Sequence, residues 1–289
     1  LARRLGDLPT AAITWFSRDT ASLYDVLGTQ PGTGNYLNLG WWSSTDPLAN
    51  LDEDSIEEAC RELVRQFAAF GGVSPRDKIL DVGFGFAQQD VLLSREFNCR
   101  DITGLNITPH HVRKGRELVE QNGLSKRISL HLGDAVALPF EKNTFDTVFA
   151  LETAFHFHTR NDFLEEARRV LEPGGTIMVA DIINGPKAES DLLSSLVARA
   201  HENYWKIPPE NRINRNQYAE TLAEKGFGTI EIEDVSDHVL TPWVRNYLPW
   251  RLEQQPWPLN FLGRPGVQTL SNFYEEDYFE YVFVRAEAP

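Results

Sequence analysis

The chain has 289 residues, of which 24% are charged, and it carries a formal net charge of −14 at pH 7. Such a length can bury a sizeable core and fits one enlarged domain better than two independent ones. The acidic balance leaves no basic surface to neutralise phosphates, so it argues against a nucleic-acid partner. The presence of only two cysteines, Cys60 and Cys99, favours a cytoplasmic protein, and no run approaches the ~20 apolar residues of a membrane span.

The first predicted element is a helix ahead of the core. Apolar side chains recur at three- and four-residue spacing between Ile56 and Phe67, and Gly71 and Gly72 close the pattern. We therefore predict that residues 1–75 form an N-terminal helical cap segment.

Residues 76–184 have the pattern of an α/β core. Short β-branched runs alternate with amphipathic segments, which is typical of βαβ units around a parallel sheet. The turn Pro173-Gly174-Gly175 leads into the last strand of this region. The predicted strands are 78–82, 101–106, 127–132, 144–150 and 176–181, and the predicted helices are 88–96, 109–122 and 161–171.

Two aromatic-rich segments, 185–216 and 236–277, interrupt this rhythm. Beside them, the pattern predicts a core helix and strand in 217–235 and a final strand in 278–289. None of the seven tryptophans falls between residues 78 and 184. These rings either fill the cores of the added segments or line a lid over an apolar ligand. All the pieces are predicted to belong to one domain.

A glycine-rich loop follows the first predicted strand. Gly83 and Gly85 let the backbone turn sharply and approach a ligand closely. A dinucleotide fingerprint would need a further glycine at position 88, where this chain has Gln88, so NAD is disfavoured. Asp81 either caps the loop or receives an ammonium group, which S-adenosylmethionine (SAM) has and NAD lacks.

The stretch from Lys78 to Asn184 resembles the SAM-binding core of class I methyltransferases. Residues 81–87 (Asp-Val-Gly-Phe-Gly-Phe-Ala) match the family's first motif, with Ala87 in place of its third glycine. The resemblance implies a Rossmann-like α/β fold: a mostly parallel seven-stranded sheet with helices on both faces and added helical, aromatic lid segments. It also implies SAM as cofactor, S-adenosyl-L-homocysteine as product and a small molecule as partner, and it leaves a homo-oligomer open.

Further cofactor residues follow from the same resemblance. Asn106 stands where the family places an acidic residue on the ribose hydroxyls, and an amide can still hydrogen-bond a diol. Asp134 corresponds to the residue that receives the adenine amino group. Residues 34–42 resemble a short motif that folds over the methionine end of SAM. The other expected cofactor contacts are Tyr36, Asn38, Gln89, Ile107, Ala135 and Leu151.

Residues 150–158 (Ala-Leu-Glu-Thr-Ala-Phe-His-Phe-His), together with Asp181, resemble the small-molecule methyltransferases of natural-product and lipid biosynthesis. This resemblance predicts O-methylation of a bulky, fairly apolar acceptor. His156 is the expected general base because histidine titrates near neutrality, although it could instead pack against the adenosyl group. Asp181 either orients this imidazole or binds backbone amides of the loop after it. Glu152 is the rival base, and His158 is expected to cap the next helix.

Two other functions stay open. Glu152 could serve a C-methyltransferase by stabilising or deprotonating a carbocation. Alternatively, the chain could bind SAM as a scaffold or a cyclase without methyl transfer. The remaining histidines have no metal-ligand spacing, so no metal is expected.

Overall fold

The computed structural model describes residues 36–43, 51–255 and 258–289. The chain divides into two compact units. The first, which we name the helical unit, comprises the residues up to Leu63 together with Ile183–Lys206 and Asp234–Tyr281. The second, the sheet unit, comprises Val64–Ile182, Ile207–Glu233 and Val282–Pro289.

Seven strands and ten α-helices make up the regular structure of the described residues. The strands are β1 (Lys78–Val82), β2 (Asp101–Asn106), β3 (Ile128–Leu132), β4 (Phe145–Leu151), β5 (Leu171–Asn184), β6 (Gly228–Asp234) and β7 (Phe279–Glu287). The helices are α1 (Glu53–Gly71), α2 (Gln88–Glu96), α3 (Pro109–Gln121), α4 (Arg160–Val170), α5 (Leu192–Tyr204), α6 (Arg215–Glu224), α7 (Leu240–Pro242), α8 (Leu248–Glu253), α9 (Leu259–Leu262) and α10 (Arg264–Glu275). Short 3₁₀ turns cover Ala154–His156, Pro186–Glu189 and Pro209–Asn211, and a π-helical turn covers Trp243–Tyr247.

The strands form one sheet in the order β3-β2-β1-β4-β5-β7-β6. The pairs β1–β2, β1–β4, β2–β3 and β4–β5 are parallel. Strand β7 runs against β5, because Gly185 N–H donates to the Tyr278 carbonyl at one end and Gly174 N–H donates to the Ala288 carbonyl at the other. The predicted α/β fold with a mostly parallel seven-stranded sheet is therefore confirmed.

The strand order reverses at β1, which lies between β2 and β4. In open α/β sheets, ligands bind at such a reversal, outside the carboxyl ends of the strands. Val82 pairs with Leu105 across β1 and β2, and Asn106 pairs with Leu132 across β2 and β3. The topology thus brings the glycine-rich loop and the ends of β2 and β3 to one edge of the sheet.

Strand β5 begins at Leu171, earlier than the predicted start at residue 176. Gly174 N–H donates to the Ala288 carbonyl at 2.7 Å, and Ala288 N–H donates to the Gly175 carbonyl at 2.8 Å. The β4–β5 register shifts opposite these residues, between Phe145 and Thr147. The predicted turn is therefore an irregularity inside a longer strand. It pairs with the end of β7, which is far away in the sequence.

The start of helix α6 also differs from the prediction. We predicted the core helix of residues 217–235 to begin near Gln217, whereas α6 begins at Arg215. The Asn214 side chain accepts from Gln217 N–H at 3.0 Å, and the Gln217 side chain accepts from Asn214 N–H at 2.9 Å. This reciprocal capping box satisfies two N–H groups that a helix start leaves without partners, so it fixes the start of the helix.

The two aromatic-rich segments supply most of the helices of the helical unit. Trp243 is buried, with its ring centroid 6.2 Å from that of Trp205 and 5.9 Å from that of Tyr247. In the same unit, Trp42 and Ile56 belong to a further buried apolar cluster. The rings therefore fill the interior of this unit, and their contact with an acceptor stays a prediction.

Parts of the predicted cap and lid segments, including Trp15 and Trp257, lie outside the described residues. Among the helices that the structure describes, none combines the length and the apolar character needed to cross a membrane.

We expect Phe67→Ala to lower the free energy of unfolding by about 3–5 kcal/mol. Its fully buried ring lies 4.7 Å from the Phe149 ring and 5.0 Å from the Phe283 ring, centroid to centroid, so truncation leaves a cavity. Denaturant unfolding measures the loss. The control Phe70→Ala removes a half-buried ring from the same helix and should cost clearly less. Equal losses would contradict this placement of the core.

Candidate functional site

The loop between β1 and α2 has a backbone that requires glycine. Gly83 has φ +90° and Gly85 has φ +56°, in the left-handed region that favours glycine. Gly83 N–H donates to the Leu105 carbonyl at 2.7 Å, which fixes the loop to β2. A Cβ on Gly83 would lie 2.3 Å from Cγ2 of Thr153. Gly83 therefore cannot be exchanged for a larger residue without displacing the turn after β4.

Ala87 occupies the position of the motif's third glycine. It has φ 65° and ψ 19° and immediately precedes helix α2. A left-handed conformation costs an alanine roughly 1–2 kcal/mol, so the loop accepts strain at this position. The methyl group is fully buried. The turn is thus formed with alanine in place of the motif's third glycine.

Asp81 and Gln89, two of the predicted cofactor residues, contact each other. Gln89 Nε2 donates to Asp81 Oδ2 at 2.7 Å. The other oxygen, Oδ1, is buried and has no hydrogen-bond donor among the described residues. Burial raises the pKa of Asp81 to about 7, although the hydrogen bond from Gln89 acts in the opposite direction. A buried carboxyl with an unused oxygen suits an ammonium group, because it needs a charged donor to offset its desolvation.

The predicted adenosine-binding residues lie at the ends of β2 and β3. Oδ1 of Asn106 accepts the backbone N–H two residues further on at 2.9 Å, and Oδ1 of Asp134 makes the same type of bond at 3.1 Å. Ala135 is buried, whereas Ile107 is 59% exposed. An exposed isoleucine beside a fixed amide offers apolar surface to a purine, and the contact itself stays a prediction.

Strand β4 ends at Leu151, which is buried at the same edge of the sheet. Glu152 follows with φ +53° and is buried, and its N–H donates to the Ala180 carbonyl at 2.9 Å. A left-handed glutamate is a strained residue, and such strain is concentrated at functional sites. Glu152 thus lies, in this strained conformation, directly before the turn that carries His156.

His156 ends the 3₁₀ turn Ala154–His156 and is half-buried. Its N–H donates to the Thr153 carbonyl at 3.0 Å, and its ring centroid lies 4.2 Å from that of Phe155. Helix α4 is capped by Thr159, whose side chain accepts from Asp162 N–H at 3.0 Å. The prediction that His158 provides this cap is therefore wrong, because the threonine hydroxyl occupies the N-cap position.

Asn211 fixes the backbone on both sides of His156. Its Nδ2 donates to the Phe155 carbonyl at 3.1 Å and to the Phe157 carbonyl at 2.9 Å. Its Oδ1 accepts from Arg160 N–H at 2.7 Å. The whole side chain is buried. The side-chain amide of Asn211, distant in sequence, therefore fixes the turn and the start of α4 relative to each other.

Asp181 forms a buried ion pair with Arg160. Its Oδ2 accepts from Arg160 Nε at 2.8 Å and from the Tyr218 hydroxyl at 3.1 Å, and its Oδ1 accepts from Ile182 N–H at 3.0 Å. Burial, with the nearby Asp181 charge, raises the pKa of Tyr218 well above its ordinary value. Both oxygens of Asp181 thus have partners other than an imidazole, and the backbone N–H that Oδ1 accepts belongs to β5 itself and not to the loop after it.

Sequence reasoning missed Arg160 and Asn211. Arg160 donates from Nη1 to the Asn211 carbonyl at 2.7 Å, so the two residues form one network. The sequence offered one signal for Arg160. An arginine at the start of a helix opposes the helix dipole, so it indicates a nearby acidic partner. Nothing in the local sequence indicates Asn211, since its partners lie about fifty residues away.

Tyr36 and Asn38, predicted to lie over the methionine end of SAM, belong to the helical unit. Tyr36 is buried, which raises the pKa of its hydroxyl to about 12. Asn38 Nδ2 donates to the Cys60 carbonyl at 3.2 Å, and its Oδ1 accepts from Gly40 N–H at 3.1 Å. These contacts anchor the segment to α1, and its contact with a cofactor stays a prediction.

Within the described ranges, the His, Cys, Asp and Glu side chains form no cluster of three or more that could hold a metal ion.

Comparison with known proteins gives three findings. The family model described as "Methyltransferase domain" matches residues 80–179. Erythromycin 3''-O-methyltransferase of Saccharopolyspora erythraea is 38% identical over 218 residues, which cover 74% of this chain and 69% of that protein. Methyltransferase GfsG of Streptomyces halstedii is 30% identical over 229 residues, which cover 77% of each chain.

Two solved structures have the same fold. Geranyl diphosphate C-methyltransferase from Streptomyces coelicolor A3(2), solved with S-adenosyl-L-homocysteine, superposes with a TM-score of 0.72 at 14% identity over 98% of this chain and 99% of its own. The [4+2]-cyclase SpnF superposes with a TM-score of 0.65 at 21% identity over 88% of this chain and 87% of its own. At these identities the likeness concerns the fold alone.

We expect Gly83→Ala to lower the affinity for SAM at least about tenfold, because it adds backbone strain and a collision with Thr153 inside the loop. Calorimetric titration with SAM measures the change. The matched control is Gly123→Ala, at φ +69° with no other atom near the added Cβ, which should cost only conformational strain and leave SAM affinity intact. If both variants bind SAM equally well, the loop does not hold the cofactor.

Proposed function

Since the chain belongs to the class I SAM-dependent methyltransferases, we propose that it methylates a hydroxyl group on a small, bulky and fairly apolar natural product. The observation that carries the proposal is the position of His156, on a turn directly after β4 whose backbone is fixed by Asn211. The relative with 38% identity is named as an O-methyltransferase, which supports transfer to oxygen.

The residues at the carboxyl edge of the sheet fit SAM. The buried Oδ1 of Asp81 is available to an ammonium group, and the left-handed backbone of Gly83 shapes the loop in which the amino-acid half of SAM would lie. Asn106 and Asp134 would hold the ribose and the adenine, respectively. When bound, SAM supplies an activated methyl group, so the main task of the protein is to align the acceptor.

The proposed task of His156 is to remove the proton of the acceptor hydroxyl, which SAM does not do. A hydroxyl is a weak nucleophile until its proton is removed, and a neutral imidazole is a suitable acceptor near pH 7. For this role the ring has to stay in one place. The bonds from Asn211 to the carbonyls of Phe155 and Phe157 fix the backbone on either side of it. Asp181 acts on His156 only through Arg160 and Asn211, so we assign it a positioning role.

C-methylation with Glu152 as the acid or base is the second candidate. Glu152 is buried and strained in the left-handed region, which favours a functional reason for its placement. A buried carboxylate next to an acceptor could stabilise a carbocation or remove its proton. A third candidate is SAM binding without transfer, as a scaffold or cyclase. Incubation with methyl-labelled SAM and a broad metabolite extract tests it, because binding without any labelled product would support this role.

We expect His156→Ala to lower kcat for O-methylation by about 100-fold or more, the usual contribution of a general base. SAM affinity, measured by calorimetry, should stay close to that of the parent. The matched control is His158→Ala, an exposed histidine two residues away, which should retain activity. The reverse pattern, in which Glu152→Gln abolishes turnover and His156→Ala retains it, would favour C-methylation.

We expect Asn211→Ala to lower kcat about tenfold or more while the KM for SAM changes little, because it releases the turn and leaves the glycine-rich loop untouched. A double-mutant cycle tests whether the effect passes through His156. In the His156→Ala background, Asn211→Ala should cause no further loss of kcat. Independent, additive losses would show that Asn211 acts on something other than the base.

A further inference from the structure

The side chain of Thr153 connects the turn after β4 to the glycine-rich loop. Thr153 occupies the N-cap position of the 3₁₀ turn Ala154–His156. A threonine at the start of a helical turn commonly accepts an N–H of that turn, whereas this side chain makes no such bond. Its Oγ1 instead donates to the carbonyl of Val82, the last residue of β1, at 3.0 Å. The hydroxyl therefore links the turn to a residue 71 positions earlier in the chain.

The methyl group of Thr153 lies against the same loop. A Cβ on Gly83 would lie 2.3 Å from Cγ2 and 2.7 Å from Cβ of Thr153, so this side chain fills the space that a larger residue at position 83 would need. A β-branched side chain has few χ1 rotamers, and a single rotamer here serves both contacts. The two branches together hold Thr153 against Val82 and Gly83.

The backbone of Thr153 leads directly to the proposed base. Its carbonyl accepts His156 N–H at 3.0 Å, inside the 3₁₀ turn. On its other side, Glu152 N–H donates to the Ala180 carbonyl of β5 at 2.9 Å. Asn211 holds the same turn against the start of α4. Thr153 therefore adds a contact between this turn and the side of the site that is expected to hold the cofactor.

We propose that Thr153 is a positioning residue that sets the distance between the methyl donor, held by the glycine-rich loop, and His156 on the turn after β4. Methyl transfer requires sulfur, methyl group and acceptor oxygen in line, while the base has to reach the hydroxyl proton. A displacement of about 1 Å can lower the rate of such a step about 100-fold. The bond from Thr153 to the Val82 carbonyl resists this displacement. The inference rests on the proposed function, because it takes SAM as the donor and His156 as the base.

Two variants separate the hydroxyl from the methyl group. Thr153→Val removes the hydroxyl and keeps the shape, whereas Thr153→Ser keeps the hydroxyl and removes the methyl group. Hydrogen exchange of a peptide that covers residues 152–158 measures the opening of the turn, and it requires neither SAM nor an acceptor. We expect exchange about fivefold faster in Thr153→Val, which corresponds to the loss of one hydrogen bond, and close to the parent rate in Thr153→Ser. Unchanged exchange in Thr153→Val, or equal acceleration in both variants, would overturn the proposal.

The transfer of label from methyl-labelled SAM into a broad metabolite extract tests the positioning role. At saturating SAM, Thr153→Val should lower the initial rate about tenfold or more, because the base and the donor are no longer held at one distance. The affinity of this variant for SAM, measured by calorimetry, should stay close to that of the parent. Thr153→Ser should retain most of the rate. In the His156→Ala background, Thr153→Val should cause little further loss.

The matched control is Thr144→Val, which removes a hydroxyl bonded to the Glu141 carbonyl at 2.7 Å, just before β4 begins. It should change neither the exchange of residues 152–158 nor the rate of transfer. If Thr153→Val keeps the parent rate while His156→Ala loses it, the inference fails and the proposed function stands. Turnover retained in His156→Ala, or absent from the parent, would refute the proposed function and this positioning role with it.

Discussion

The buried ion pair between Arg160 and Asp181 fixes the part of the sheet edge where the proposed proton transfer takes place. Arg160 is 1% exposed and begins α4, where a cation opposes the helix dipole. Its position is favourable only because Asp181 accepts its Nε–H at 2.8 Å. Removal of either partner would leave the other charge buried, which typically costs about 3–5 kcal/mol. Asn211 bonds both to Arg160 and to the backbone on either side of His156. The position of the proposed base therefore depends on the ion pair.

The sequence predicted the sheet and the loop well because their signals are local. Each early strand is a short apolar run, and each intervening helix has its own periodicity, so the order of elements from β1 to β5 could be derived. The network around Asp181 could not be derived in this way. Its members come from β5, the start of α4, the turn before α6 and α6 itself, and only the folded chain brings them together. The early start of β5 has the same cause, since Gly174 pairs with Ala288.

Strain and buried charge occur on both sides of the reversal in strand order. Ala87 lies in the left-handed region after β1, and Glu152 does so after β4. Asp81 in β1 and Asp90 in α2 are buried acids on one side, and Asp181 is a buried acid in β5. These features oppose folding, and the packed sheet has to compensate for them. Open α/β sheets bind ligands at this edge, so the position of these residues fits the proposed roles in binding and catalysis.

The reversal also separates the two tasks of the enzyme. Most residues expected to hold SAM lie at the ends of β1, β2 and β3 or directly after them, whereas the two candidate bases, Glu152 and His156, follow β4. The bonds that fix the turn of His156 come from Asn211 and Arg160, and neither of these contacts the glycine-rich loop through its hydrogen bonds. The turn contacts the loop through Thr153, whose Oγ1 donates to the Val82 carbonyl at 3.0 Å, so a change of base that keeps Thr153 leaves this contact in place. The O-methylation and C-methylation proposals therefore differ in one short segment, Glu152 to His156, while they share the same proposed cofactor residues.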